Sequence, residues 1–198
     1  ALQPKDGDVV VDATFGLGGH SRALKAVARI QLIALDADPA TGSGVIEVNF
    51  ADLEKVLKQL HIQKIDKMLF DLGWNSTQLY SGRGFSFLRD EPLSMSYGTK
   101  PASGFTATEI LNEWDETTLS DVFFGYAQER YARRIARAIV KRRRIVPIKT
   151  TIELVEIIRD ATPVAYHRGR LHFATKTFQA LRIAVNDELG VLERGLAA

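Results

Sequence analysis

"VVVDATFGLGGHSRAL", residues 9–24, passes from three valines through three glycines and a histidine into a helical pattern. Val9 to Val11 read as a buried strand with Asp12 at its C-terminal end, and Ser21 to Ala28 as the following helix. A glycine-rich turn between strand and helix brings backbone N–H groups and a positive helix end close to a ligand, because no Cβ atoms intervene. The alternation then continues through "LIALDAD", the short strand "GVIEVNF", the helix "ADLEKVLKQL" and the strand "KIDKMLFDLG". Successive βαβ units make the class α/β, with a parallel sheet and right-handed crossovers. Sheets of this kind bind ligands beyond the carboxyl ends of their strands.

The link in "DADPATGSGVIEVNF" is too short for a crossover helix, which parallel neighbours need. Either residues are missing there, around 40–45, or the link is unusual. From about Phe105 the pattern turns helical. Thr106 with Glu109, and Thr150 with Glu153, have the spacing of capping boxes. Tyr131, Ile135 and Ile139 form one apolar stripe, and Phe178, Leu181, Val185, Leu189 and Leu192 form another. The reading divides the chain into an α/β part over 1–104, a helical insertion over 105–190 and a return to the α/β part over 191–198.

Twenty-six Lys and Arg against 24 Asp and Glu leave a net charge of only +2, so a nucleic-acid surface has to come from local clustering. The absence of cysteine excludes disulfide scaffolds, cysteine zinc sites and thiol catalysis, and no metal site is expected. No apolar run is long enough to span a membrane and no signal peptide is visible. The expected location is the cytoplasm; an address upstream of Ala1 would redirect the protein to an organelle.

Three strand ends carry acids: Asp12, Asp36 and Asp71. Asp36 stands where nucleotide-binding sheets grip ribose hydroxyls, although such a carboxylate can also serve as a helix cap or surface acid. The first two acids would suit a nicotinamide-dependent oxidoreductase. The third fits better with S-adenosylmethionine, whose sulfonium and amino group are cationic.

"DATFGLGGHSRA", "LDADP", "NFADL", "FDLGWNSTQL", "GRGFSF" and above all "FATKTFQALRIAVNDELG" together resemble the ribosomal RNA small subunit methyltransferase H family, in family order over nearly the whole chain. The resemblance implies a class I methyltransferase (Rossmann-like) sheet with a helical insertion subdomain. It also implies S-adenosylmethionine as cofactor, and methylation of the exocyclic N4 of a cytidine in small-subunit ribosomal RNA, on the assembling small ribosomal subunit. Carried over, the methionine-moiety loop falls on Gly18, Gly19 and His20, the ribose carboxylate on Asp36, the aromatic beside adenine on Phe50, and further cofactor contacts on Asp71 and Gln78. A helix-start histidine can also bond only locally, and Phe50 can be a core aromatic at the same time.

The chain departs from the family at Trp74 and Asn75, where smaller residues are usual, and at Ser94 of "PLSMSYG", where an acid is usual. These positions lie where the substrate base should arrive. Further strands normally follow "VNDELGVLERGL". An apolar sheet edge left without them would call for a partner such as a second copy.

The cytosine amino group is a poor nucleophile and needs alignment and an acceptor for its proton. Acceptors are expected around Asp71 to Ser76, with Asp71 and Asn75 as candidates and Trp74 either a stacking platform or simply packed. For RNA, the cluster Arg130, Arg133, Arg134, Arg137, Lys141, Arg142, Arg143 and Arg144 is the candidate surface, with Arg83 of "GRGFSF" a second. A basic helix face can instead be solvated, with Glu129 pairing with Arg133. An RNA- or ribosome-binding module without catalysis is the alternative function.

Overall fold

In the computed structural model, which describes residues 2–42 and 44–198, β1 (Val9–Asp12), β2 (Gln31–Asp36), β3 (Ile46–Glu47) and β4 (Lys67–Leu69) form a parallel sheet in the order β3-β2-β1-β4. Val10 and Val11 are fully buried in β1, as expected of a parallel strand covered on both faces. The register pairs Val11 with Ile33 on one side and Met68 on the other. After β1 the chain moves outward to β2 and β3, then crosses back to place β4 on the far side of β1. The crevice beyond β1 and β4 is therefore the topological switch point, where ligands bind in open α/β sheets.

Two compact units make up the chain. One consists of the residues up to Asn75 together with Leu189–Ala198, and the other of Ser76–Glu188. In the first unit α1 (Gly19–Val27) follows the glycine turn and α2 (Leu53–Gln59) precedes β4. Val11, Ile33, Leu35, Leu53 and Val56 form its apolar core. The short link after β2 holds a single 3-10 turn, Pro39–Thr41, and no crossover helix among the described residues; Ser43, within that link, lies outside them. A cavity of about 270 Å³ lines the same flank of the sheet, bounded by Leu32, Ala34, Ile46, Leu60 and Ile62. The expected strand "GVIEVNF" is reduced to Ile46 and Glu47, because Asn49 turns the backbone by accepting from the Ala51 N–H and opens the 3-10 turn Phe50–Asp52.

The second unit is helical: α3 (Ala107–Glu113), α4 (Glu116–Ala127), α5 (Ala132–Arg143), α6 (Thr151–Ala161), α7 (Val164–His167) and α8 (Thr175–Val185). Its core gathers Leu93, Met95, Phe123, Ile135, Ile139, Leu154 and Phe178. Both capping boxes are formed, at Thr106 with Glu109 and at Thr150 with Glu153. Thr106→Ala and Thr150→Ala are each expected to cost about 1 kcal/mol, read as a lowered denaturant midpoint with an unchanged slope.

The apolar stripe over 178–192 does not lie on one helix. Asn186 accepts from the Tyr97 N–H and donates to the Met95 and Arg182 carbonyls, and Asp187 adopts φ 45°. α8 therefore ends there, and α9 (Glu188–Ala197) begins, fixed by the two-pronged Arg182–Glu188 pair at 2.7 and 3.1 Å. Within the first unit α9 packs on Phe50 at Gly195, where a Cβ would come within 2.6 Å of the ring. Among the described residues no helix is long and apolar enough to cross a membrane.

Candidate functional site

At the switch point Asp12, Thr14, Gly16 and Asp36 knit three strand ends together. Asp12 is buried and accepts from the Ser21 hydroxyl at 2.6 Å and from the Thr14 N–H at 3.3 Å. That buried pair fastens the start of α1 to the end of β1. The Thr14 hydroxyl accepts the Asp71 N–H at 2.7 Å, which ties the segment after β4 to the segment after β1. Thr14 and Ser21 are contributions that the sequence reading missed; a Ser or Thr near a glycine turn carries no distinguishing signal.

Gly18 holds the turn in a left-handed conformation, φ 72°, and an added Cβ would lie 2.5 Å from the Phe15 ring. α1 begins there with no side-chain cap and no acid in its first turn. Its first N–H groups, on Gly19, His20 and Ser21, are the unpaired donors that every helix start presents to an acceptor. Asp36 occupies the neighbouring strand end. One carboxylate oxygen accepts from the Gly16 N–H at 2.7 Å and the other from the Asp38 N–H at 2.8 Å. Burial pushes its carboxyl above the usual carboxylate range, against the N–H bonds from Asp38 and Gly16 that favour the ion. A carboxylate has about four acceptor positions, so two remain for a ligand.

Asp71 is exposed, with Oδ2 3.6 Å from His20 Nδ1, so both acid and imidazole stand at the open edge of the crevice. Phe50 is half-buried and meets Phe70 edge to face at 5.1 Å. Trp74 is 51% exposed and Asn75 is half-buried. The first unit thus brings together Gly18, Gly19, His20, Asp36 and Asp71 around one crevice. Among the described residues no group of three or more acids or histidines is placed to hold a metal ion.

Gln78 lies in the second unit, buried in the 3-10 turn Gln78–Tyr80. Arg83, also there, donates to the Ser96 and Tyr97 carbonyls at 3.2 and 2.7 Å, so its guanidinium braces the "PLSMSYG" segment. Ser94 sits in that segment between Leu93 and Met95, both core residues.

α5 turns Ile135 and Ile139 inward and leaves Arg133, Arg134, Arg137 and Lys141 exposed, as is Arg130 in the turn before it. Glu129 does not pair with Arg133. It is fully buried and accepts from the Tyr131 N–H at 2.9 Å and the Tyr166 hydroxyl at 2.8 Å. Burial and that carboxylate both raise the Tyr166 phenol above its ordinary value. Among the described residues only Arg137 of the exposed five has a carboxylate partner, Glu116 at 3.3 Å. Arg130 and Arg134 instead lie over the Tyr131 ring at 5.0 and 5.8 Å. Arg143 turns to the Leu111 carbonyl and Arg142 to that of Val146.

Comparison with known proteins adds a family. The model described as the MraW methylase family matches residues 1–198. Proteins named ribosomal RNA small subunit methyltransferase H are similar to this chain: that of Rhodospirillum centenum is 45% identical, with the alignment covering 100% of this chain and 63% of the relative. The relative from Paramagnetospirillum magneticum is 41% identical, over 100% of the chain and 65% of the relative. That of Rickettsia typhi is 43% identical, over 99% and 66%. The chain thus spans just under two thirds of the length of these relatives. The first alignment runs over 212 residues against the 198 of this chain, so the relative carries residues that have no counterpart here.

Proposed function

The chain belongs to the MraW methylase family, and from that premise we propose that it is an S-adenosylmethionine-dependent methyltransferase acting on the exocyclic N4 of a cytidine in small-subunit ribosomal RNA. The observation that carries the reading is Asp36, fixed by two backbone N–H groups at the switch point beside an uncapped glycine turn. The donor set suits the cofactor's chemistry. The turn that Gly18 shapes presents the Gly19 and His20 N–H groups to the methionine carboxylate, and Asp36 suits the ribose diol. Phe50 offers an aromatic surface beside adenine and Asp71 a further contact, and the family resemblance also assigns Gln78 to the cofactor. When bound, S-adenosylmethionine supplies an electrophilic methyl group on its sulfonium.

The rest of the work belongs to the chain. An acceptor in the segment from Asp71 to Asn75 draws on the N4–H bonds and releases nitrogen lone-pair density, while Trp74 offers a face on which an unpaired base can stack. The exposed Arg130, Arg133, Arg134, Arg137 and Lys141 supply a phosphate-facing surface. The proposed partner is ribosomal RNA in the assembling small subunit, and the proposed place of action is the cytoplasm.

Titration calorimetry with S-adenosylmethionine, followed by methyl transfer to assembling small subunits, tests this. Saturable binding and transfer to a cytidine amino group are expected. Binding without transfer would favour a non-catalytic RNA-binding module. Gly18→Ala is expected to weaken cofactor binding at least tenfold, since its Cβ would displace Phe15 and the backbone is strained for any L side chain. Unchanged affinity in that variant would remove the glycine turn from the site.

A further inference from the structure

His172 stands outside everything assigned above. Its ring belongs to a column of four: Phe87 stacks on it at 4.6 Å and 9°, Phe173 at 4.2 Å and 29°, and Phe173 in turn meets His167 at 4.6 Å. Phe87 is anchored in the helical core by Phe178, edge to face at 5.4 Å. Despite this packing His172 is exposed, so what faces solvent is the edge of its imidazole.

The edge has a fixed polarity. Nδ1 accepts the Ala174 N–H at 3.3 Å, and a neutral imidazole that accepts at Nδ1 carries its proton on Nε2. Burial and the neighbouring His167 both hold His172 below the usual histidine range, which favours that neutral form. The segment leading to it, "HRGRL", holds exposed Arg168 and Arg170 and Leu171, itself 60% exposed. Neither arginine has a carboxylate partner among the described residues.

This loop is continuous with the α5 surface. Tyr166 of α7 meets Tyr131 edge to face at 4.9 Å and bonds to buried Glu129, while His167 is held by the Thr162 hydroxyl at 2.8 Å. The basic surface of α5 therefore extends through two tyrosines to the ring column. A long cationic track with a neutral donor set in it resembles no part of a protein–protein interface core, where charge is depleted. It suits a backbone of phosphates with base edges exposed alongside.

We propose that the 167–173 loop is a second RNA contact, in which Arg168 and Arg170 take phosphates of an unpaired strand and His172 Nε2–H donates to an acceptor on a base edge. The inference rests on the RNA-substrate reading and names residues and a binding mode that it did not. Already stacked with Phe87 and Phe173, His172 reads by its edge.

Binding of labelled single-stranded oligocytidylate and of a labelled duplex RNA, followed by anisotropy over a salt series, tests it. His172→Phe keeps a stackable ring and removes the donor. Roughly three- to tenfold weaker binding of the single strand is expected, with an unchanged melting temperature. His172→Gln, whose amide nitrogen reaches near the Nε2 position, should recover part of the loss. Arg168→Ala with Arg170→Ala should reduce the salt slope for the single strand by about 1.4. Wild-type affinity in His172→Phe, or an unchanged slope in the double variant, overturns the proposal. Failure of the wild-type protein to bind either RNA overturns the RNA reading of the whole surface, while cofactor binding, measured separately, continues to test the methyltransferase reading alone.

Discussion

Asp36→Ala is expected to weaken S-adenosylmethionine binding by about a hundredfold or more in titration calorimetry, since two charge-assisted hydrogen bonds to a ribose diol are lost together. The same change releases the Gly16 and Asp38 N–H groups, which the carboxylate now holds at 2.7 and 2.8 Å. Asp36→Asn separates the two effects. Its amide keeps the shape and one acceptor, but its NH2 must face either an N–H or a hydroxyl. A loss nearly as large as that of Asp36→Ala would assign the energy to the charge, whereas near-native binding in Asp36→Asn would assign it to turn geometry. Native binding in both variants would leave Asp36 no part in holding the cofactor.

The protonation of Asp36 gives a pH dependence with a definite sign. Burial raises its carboxyl above 3.8, partly opposed by the Asp38 and Gly16 N–H groups and aided by the charges of Asp38 and Asp12. Between the unfolded and the raised folded values the native state binds more protons than the unfolded one. Stability contributed by this group is thus greatest in acid and falls as the pH rises through that window. Cofactor binding runs the other way, because it needs the ion. Affinity is expected to be flat near neutrality and to fall about tenfold per pH unit below the raised value. A calorimetric pH series in which affinity holds constant down to the ordinary carboxylate range would contradict this assignment.

How far the sequence disclosed the fold depends on how local each signal is. Val9 to Val11 and the glycine turn announce themselves because strand burial and left-handed backbone are properties of single residues. The two capping boxes likewise depend on partners three residues apart, and both form. The stripe of Phe178 to Leu192 misled because periodicity continues across Asn186, whereas the break comes from bonds to Met95 and Tyr97, far away in the chain. Arg83, a candidate RNA ligand from its place in "GRGFSF", also braces the Ser96 and Tyr97 carbonyls, partners that lie beyond the reach of local spacing. Glu129 stands at helical spacing from Arg133, and tertiary burial gives it Tyr166 instead. Local chemistry was legible, and long-range partners were not.

Asp71→Ala is expected to lower kcat for methyl transfer by about 10²- to 10⁴-fold, the range typical of a positioned proton acceptor, with the cofactor Kd changed by less than roughly tenfold. Its backbone is fixed through the Thr14 hydroxyl while its carboxylate remains exposed beside His20. The backbone of Asp71 is therefore held just beyond β4, and its exposed side chain is still available to a substrate. Asp71→Asn keeps an acceptor oxygen without the charge, so it should fall between wild type and Asp71→Ala. Trp74→Ala should show the complementary split. Loss of a stacking face costs about 1–3 kcal/mol per base, which appears as a raised KM for RNA with a smaller change in kcat, and Trp74→Phe should restore most of it. If Asp71→Ala instead raises the cofactor Kd as much as it lowers kcat, Asp71 serves the cofactor alone. The amino-group acceptor must then be sought among the backbone carbonyls between Leu72 and Asn75.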